Sequence, residues 1–511
     1  MRGYALANPL SAILNKTPQD FTRTDLLAII EQRGIERITF HYVALDGKLK
    51  ELRIPVASRL QAERILAEGE RVDGSSLFKG LVDASLSDLY VVPIYKSAFF
   101  SPFDDMSLDF LCRFADPEGN PAPFAIDNIL ASADRLFRKS TGLELNALGE
   151  LEFYLLNTAE THMYQTSKQK GYHASAPYIK SGDIVNEITS HLTRITGSVK
   201  YAHSEVGYID NVFSDVEEIR GKQAEQLEIE FLPAPVVDAA DYLVLARWLI
   251  RNVAFKHGCV ATFTPKLEDG VAGSGLHVHM EISKEGQNQM RETSGELSAV
   301  ARKLIGGLCT YAESLTAFGN TMASSYLRLV PNQEAPTRVC WSDLNRSAMI
   351  RVPLGWHGVG HLASSFNPTD DIPPEGSRGR QTVELRSPDG SALIHLLLAG
   401  ITMAAEWGLK QRDSESAAKK LYVQGNIFKD PSLLKQLPAI AQSCVESSRV
   451  LGDHRRFYER ENIFPPSMID YIINLLRTEN DEILRESLTD LPADERLTEM
   501  RKIMHRDIHR H

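Results

Sequence analysis

The stretch "AGSGLHVHMEI", Ala272 to Ile282, sets two histidines one residue apart, directly after a glycine pair. It reads as a strand, and because residues i and i+2 of a strand share a face, His277 and His279 lie side by side. Taken alone, that face suits a half-exposed strand whose polar positions meet water. It equally suits a strand lining a metal and nucleotide site. The rest of the chain decides between the two.

Other strands carry the same pattern with carboxylates. "LGELEFYLL" places Glu150 and Glu152 on one face and Leu151 and Phe153 on the other. "EQLEIEFL" does the same with Glu228 and Glu230, "TVELRSPD" pairs Glu384 with Arg386, and "AHSEVG" sets His203 beside Glu205. Apolar faces this clean imply sheets on a core, with the acidic faces turned toward something other than the interior. Crowded carboxylates repel one another unless cations neutralise them. A set dominated by carboxylates with a single imidazole suits hard, oxygen-preferring ions, Mg²⁺ or Mn²⁺, whereas zinc would recruit more Cys or His. A basic constellation follows in "SYLRLVPNQEAPTRVCWSDLNRSAMIRVPL", with Arg328, Arg338, Arg346 and Arg351, and Arg386 further on. Arginines beside a divalent-metal site clamp phosphate and carboxylate. The chain has no glycine-rich P-loop and no protein-kinase signature set, so nucleotide phosphates would be held by metals and arginines.

Composition narrows the class. At 511 residues the chain is too long for one ordinary domain. Its 43% hydrophobic and 24% charged residues describe a folded protein with a core. A formal charge of −11 argues against nucleic acid as partner. The five cysteines are scattered with no CxxC pair, which reads as thiols in a reducing compartment. No segment has the apolar run of a signal peptide, and the longest apolar helix, "LSAVARKLIGGLCTYAESLTAF", is broken by Arg302, Lys303 and Glu313. The expectation is a cytoplasmic protein without a membrane partner.

Organisation follows from punctuation. Residues 1–20 read as a flexible arm. "TDLLAIIEQRG" predicts a helix with Thr24 as N-cap and Gly34 as stop. "RITFHYVAL", the turn "DGK" and "LKELRIPV" predict a hairpin, and a helix and the strand "LYVVPIY" complete an α+β module. The expected division is 21–115 for this module and 116–511 for the remainder. Residues 207–224 read as an inserted loop, and 431–511 as mostly amphipathic helix ending in the solvated, mobile tail "HRDIHRH".

With these pieces assembled, the chain resembles the glutamine synthetase family, nearest to its bacterial and archaeal type I members. The likeness rests on "VDGSS", "GELEF", "KGYHASAPY", "HSEVG", "GSGLHVHM", "SYLRLVP", "EAP", "LNRSAMIRVP" and "ELRSPD", nine motifs in family order between about residues 35 and 390. It implies an α+β fold: an N-terminal β-grasp domain, then a catalytic domain with a curved antiparallel sheet and a helical C-terminal region. It further implies ATP-dependent ligation of glutamate and ammonia through a γ-glutamyl phosphate, with two divalent metals per site. Active sites would lie between subunits of a homo-oligomer, a dodecamer of stacked rings.

Carried over by position, Glu152, Glu205 and Glu228 would hold one metal, and Glu150, His277 and Glu384 the other. His279 would approach the nucleotide, and Arg346 and Arg351 its phosphates. Arg328 would take the substrate's α-carboxylate and Arg386 its side-chain carboxylate, with Gly273 allowing close approach. Asp73 would reach a neighbouring subunit's site and, with Glu334 of the loop "NQEAP", bind and deprotonate ammonium.

Several positions depart from the family pattern. Ala272 stands for an asparagine, Leu327 for a lysine, Thr382 for an arginine, Glu281 for a serine, and "SAL" for the "NPY" after "PD". They touch substrate and nucleotide contacts more than metals. The added length after Glu205 leaves Glu225 and Glu230 open as alternatives to Glu228. Tyr422 matches a tyrosine that some relatives adenylylate and is read here as structural. An organic amine as acceptor is the alternative to ammonia, and a non-catalytic assembly a further one; Asp73 favours ammonia.

Overall fold

The expected hairpin opens the first of two sheets. In the computed structural model, which describes residues 4–158, 163–330, 335–356, 362–369 and 379–510, β1 (Arg37–Val43) and β2 (Leu49–Pro55) pair antiparallel with Phe40 opposite Leu52. With β3 (Glu70–Asp73), β4 (Asp88–Pro93), β5 (Phe99–Phe100) and β6 (Ser107–Ala115) they form a sheet ordered β2-β1-β6-β4-β3, β5 pairing with β6. The preceding helix, Arg23–Arg33, starts two residues earlier than a Thr24 cap would give. Its cap is Thr22, whose hydroxyl accepts from the Asp25 N–H while the Asp25 carboxylate accepts from the Thr22 N–H at 2.9 Å. That reciprocal pair satisfies two otherwise orphaned donors and outcompetes a lone threonine cap. Gly34, at φ 62°, closes the helix as expected.

The second sheet carries the acidic strands: β7 (Glu144–Asn157), β8 (Val199–Ile209), β9 (Gln223–Phe231), β10 (Ala234–Pro235), β11 (Val260–Thr262), β12 (Leu276–Lys284), β13 (Gln287–Asn288), β14 (Trp341–Asp343), β15 (Ile350–Val352) and β16 (Val383–Leu385). Its order is β14-β15-β16-β12-β7-β9-β8. All neighbours on that path are antiparallel except β14 and β15. The apolar face, including Leu151, Phe153, Leu227, Ile229, Leu276 and Val278, joins the main core with helices Ile126–Thr141, Val236–Lys256, Ala299–Gly319 and Ile394–Lys410. At Gly149 a β-carbon would lie 2.7 Å from Leu243 of the helix Val236–Lys256, so only glycine lets that helix approach so closely.

Buried ion pairs tie the first sheet to the helices that pack on the second. Arg113 of β6 reaches Asp241 at 2.5 Å and Asp127 at 3.6 Å, and His395 lies 3.0 Å from the same Asp241. Two expectations are corrected. The loop expected at 207–224 is shorter, because Tyr208 and Ile209 already pair with Glu225 and Ala224. The tail is docked, not solvated: His505 and Ile508 are buried, and their backbone and ring contacts reach Leu267 and Thr262. Ile508 packs with Leu267 and Val271 of the loop that precedes β12, while Met504, just before the tail, packs with Leu327 and Leu488. Among the described residues no disulfide links the cysteines, and no helix is long and apolar enough to cross a membrane.

Candidate active site

Strand register assembles the site. On adjacent strands His277 faces Glu150, Glu152 faces Glu228, and His203 faces Glu228 from the other side. Glu384 of β16 lies opposite His279. Like charges directly opposite across a ladder are destabilising, and Glu152 with Glu228 is such a pair. Period-two alternation puts all these polar groups on the sheet face away from the core.

They gather into two groups whose ligand atoms lie within 4.8 Å of one another. One is His203, Glu205 and Glu228, with the His203 ring nitrogens 3.3 Å from Glu228 and 3.8 Å from Glu205. The other is Glu150, His279 and Glu384. Glu150 spans both histidines, at 2.7 Å from Nδ1 of His277 and 3.0 Å from Nε2 of His279. Glu152 lies beside the first group, one oxygen accepting from the Gly275 N–H at 2.7 Å and from Nε2 of Gln226 at 3.1 Å.

Electrostatics separate the two groups. Burial, then the neighbouring charges of Glu228 and Glu205, push the Glu152 carboxyl well above the usual range. Burial raises Glu228 as well, against the pull of His203. In the second group burial would raise Glu150 and Glu384, but the histidines and Arg386 outweigh it and hold both low. Burial and then Arg386 lower His277 to about 4, keeping its imidazole neutral, while the carboxylates around His279 overcome burial and raise it. The first group thus carries uncompensated anionic repulsion, and hard dications fit its oxygen donors.

A cavity of about 410 Å³ opens over these groups. Of the residues expected at the site, Glu150, Glu152, Glu205, Glu228, His277, Gly273, Arg328, Arg346 and Arg386 line it. His279 and Glu384 join through Glu150. Arg328 is buried and held by the Ser387 carbonyl at 3.0 Å. Its guanidinium would come within 2.8 Å of a β-carbon at Gly275, which keeps that position bare. Arg351 and Arg386, expected at phosphate and substrate, both donate to the Glu384 carboxylate here, Arg351 at 2.8 Å.

Others lie elsewhere. Asp73 ends β3 and does not line this cavity; it accepts from Ser75 and Ser76, which lower its carboxyl to about 2. Glu334 lies outside the described residues. Arg338 bridges to Ala439, away from the cavity. Of the open alternatives, Glu225 caps the Lys180 and Ser181 N–H groups and Glu230 pairs with Lys200, so Glu228 is the glutamate of β9 in the cluster. Tyr422 sits against Trp341, ring centroids 4.8 Å apart.

Sequence reasoning missed His203 as a group member, together with Gln226, Tyr172 and Tyr201 in the lining. The His203–Glu205 spacing was the available signal; the rest depends on register. Two departures from the family pattern have local partners. The Thr382 hydroxyl lies 2.9 Å from Nδ1 of His279, and Leu327 packs with Leu488 and Met504.

Comparison with known families matches residues 128–492 to "Glutamine synthetase, catalytic domain" and residues 34–117 to "Glutamine synthetase, beta-Grasp domain". The chain belongs to the glutamine synthetase family. Among curated relatives, the glutamine synthetase of Aquifex aeolicus is 28% identical over 91% of this chain and 96% of its own length. The 3-hydroxylaminophenol mutase of Cupriavidus pinatubonensis is 27% identical over 92% and 97%. A solved Plasmodium falciparum glutamine synthetase shares the fold with a TM-score of 0.71 at 20% identity, covering 93% of this chain and 98% of that one. A structure described as a GmaS/ADP complex does so with a TM-score of 0.70 at 21% identity, covering 93% and 99%. Family membership therefore fixes the fold, while relatives with other names carry the same fold.

Proposed function

We propose that the chain is an ATP-dependent ligase that activates the γ-carboxylate of glutamate and joins it to ammonia, releasing glutamine. The observation that carries this reading is the pair of carboxylate–imidazole groups opening on one cavity with Arg328, Arg346 and Arg386. Two Mg²⁺ or Mn²⁺ ions held by Glu150, Glu152, Glu205, Glu228, His277 and Glu384 would offset negative charge during phosphoryl transfer. His203 and His279 are placed to assist as donors in the two groups.

The chain's own residues do the rest. Arg328 binds the α-carboxylate of glutamate, and the bare backbone at Gly273 admits its amino group. Arg386 and Arg351 are tethered to Glu384, so substrate binding shares them with that carboxylate and orients both partners. Arg346, exposed at the cavity wall, and His279 face the phosphates. The γ-carboxylate oxygen attacks the terminal phosphorus and ADP leaves; ammonia then attacks the acyl carbon of the γ-glutamyl phosphate and inorganic phosphate leaves. Asp73 from a neighbouring subunit of a ring-shaped homo-oligomer, a dodecamer, binds ammonium, and Glu334 holds its proton.

A second reading, an organic amine as acceptor, has one observation in its favour. Tyr172, His173 and His203 form an aromatic cluster, with centroids 4.3 and 4.2 Å apart, and Tyr172 and His203 line the cavity that Ala272 also lines. Such a cluster suits an alkylammonium. The test is phosphate release from ATP with glutamate, ammonium or a panel of amines, the amide being identified by mass. Glutamine from ammonium supports the first reading; turnover with organic amines alone replaces it with the second.

A further inference from the structure

The helix Ala493–Arg506 begins where the match to the family's catalytic domain ends, at residue 492. With the residues just after it, this helix touches both elements assigned to the amino-acid end of the substrate. These are the loop that carries Gly273 and the helix Ala323–Arg328.

On the loop side the contacts fall on residues 262–268. The Thr262 and Thr264 hydroxyls donate to the carbonyls of Ile508, at 2.7 Å, and of Met504, at 3.0 Å. The His505 ring lies 2.8 Å from the Leu267 carbonyl, and Nε and Nη2 of Arg501 both lie 2.9 Å from one oxygen of Glu268. Thr262, Thr264, Glu268 and His505 are buried, so a lost partner leaves a polar group cut off from water. Pro265 stands between these anchors, and its carbonyl accepts from the Ser274 N–H at 3.0 Å. A β-carbon at Gly273 would strike that same carbonyl and come within 3.0 Å of the Arg328 side chain. At such close packing, moving residues 262–268 moves Gly273.

On the other side Met504 packs with Leu327, the chain neighbour of Arg328. Arg506 and Arg510 hold the buried Glu479, Arg506 at 2.6 Å. The Glu479 carboxylate in turn accepts from the Ala323 N–H, at 3.0 Å, where the helix Ala323–Arg328 begins. His279, assigned to the phosphates, is set by the pairing of β12 with β7 and β16 instead.

We propose that residues 493–510 form a clamp that fixes the spacing between Gly273 and Arg328. Arg501 and His505 are its positioning residues for the substrate's α-amino and α-carboxylate groups, and neither touches the substrate. The clamp rests on the reading that those groups bind at Gly273 and Arg328.

The test is phosphate release from ATP by the assembled full-length protein, with glutamate and ATP varied separately. His505→Leu removes the donor to Leu267 and His505→Gln keeps one; Arg501→Met removes the charge and Arg501→Lys keeps it. The Leu and Met variants are expected to raise KM for glutamate roughly 10-fold, with KM for ATP unchanged, and the Gln and Lys variants to recover most of that loss. An unchanged KM for glutamate, or a KM for ATP that rises in step with it, would overturn the proposal. Hydrogen exchange over residues 262–276 should quicken in His505→Leu and return toward the native rate in His505→Gln. Native-rate exchange in His505→Leu would overturn the clamp whatever the reaction, whereas a native protein that turns over no glutamate would overturn the reaction proposed above.

Discussion

Replacing Glu152 by glutamine should stabilise the metal-free protein. The Glu152 carboxylate lies directly across the ladder from Glu228, with Glu205 also near enough to raise its pKa. Two unit charges at ~5 Å with an effective dielectric constant of ~20 repel by about 3 kcal/mol. Burial and the neighbouring carboxylates raise the Glu152 carboxyl, and protonation there relieves part of this repulsion, so the gain is smaller than that figure. The substitution costs little in hydrogen bonding. The Gly275 N–H and the Gln226 amide both donate to one oxygen of Glu152, which an amide oxygen can replace, and the new NH₂ takes the place of the other oxygen, 3.9 Å from Nε2 of His277. The assay is urea unfolding at neutral pH and fixed protein concentration, in EDTA and in Mn²⁺. The native protein should gain about 2.7 kcal/mol at a metal concentration 100 times its Kd, and Glu152→Gln much less. A variant less stable than the native protein in EDTA, or one gaining as much from Mn²⁺, would refute the reasoning.

Three further predictions follow from neighbouring contacts. Glu228→Ala should weaken Mn²⁺ binding by at least about 100-fold, whereas Glu225→Ala should leave it intact and cost about 1–3 kcal/mol by uncapping Lys180 and Ser181; titration calorimetry and denaturation separate them. Leu327→Lys, which restores the family residue, should destabilise by about 2–3 kcal/mol, because it drives an ammonium between Leu488 and Met504; equal midpoints in urea would contradict this. Burial would raise the Asp241 carboxyl, but Arg113 and His395 hold it at about 2. A depressed folded pKa gives stability present above the unfolded value near 3.8 and lost as pH falls through about 2. Asp127, raised by burial in the same network, opposes part of that loss. Unfolding followed from pH 5 to 2 should therefore show a steep decline that Asp241→Asn flattens.

The polar faces of β7, β9 and β12 were legible because alternation alone assigns side chains to faces. Glu150 with Glu152, and His277 with His279, needed no partner strand to be paired. What alternation cannot supply is which strands are neighbours and in what register. His203 joins Glu228 only through the β8–β9 ladder, which has a register shift between Ser204 and Tyr208. Arg351 meets Glu384 because β15 and β16 pair at that point, so an arginine expected at a phosphate is tethered to a carboxylate. The docked tail was illegible for the same reason. "HRDIHRH" is polar on its surface reading, and only the carbonyls and hydroxyls of residues 262–267, some 240 positions earlier, give His505 and the Ile508 backbone their partners.

Isotope transfer tests the central claim most directly. Glutamate labelled with ¹⁸O in its γ-carboxylate is incubated with the assembled protein, ATP, Mg²⁺ or Mn²⁺, and ammonium or the best amine. If the carboxylate attacks the terminal phosphorus and the acceptor later displaces phosphate, each phosphate released carries one labelled oxygen. Unlabelled phosphate, released at the same rate as the amide forms, would contradict an acyl-phosphate ligase at this site.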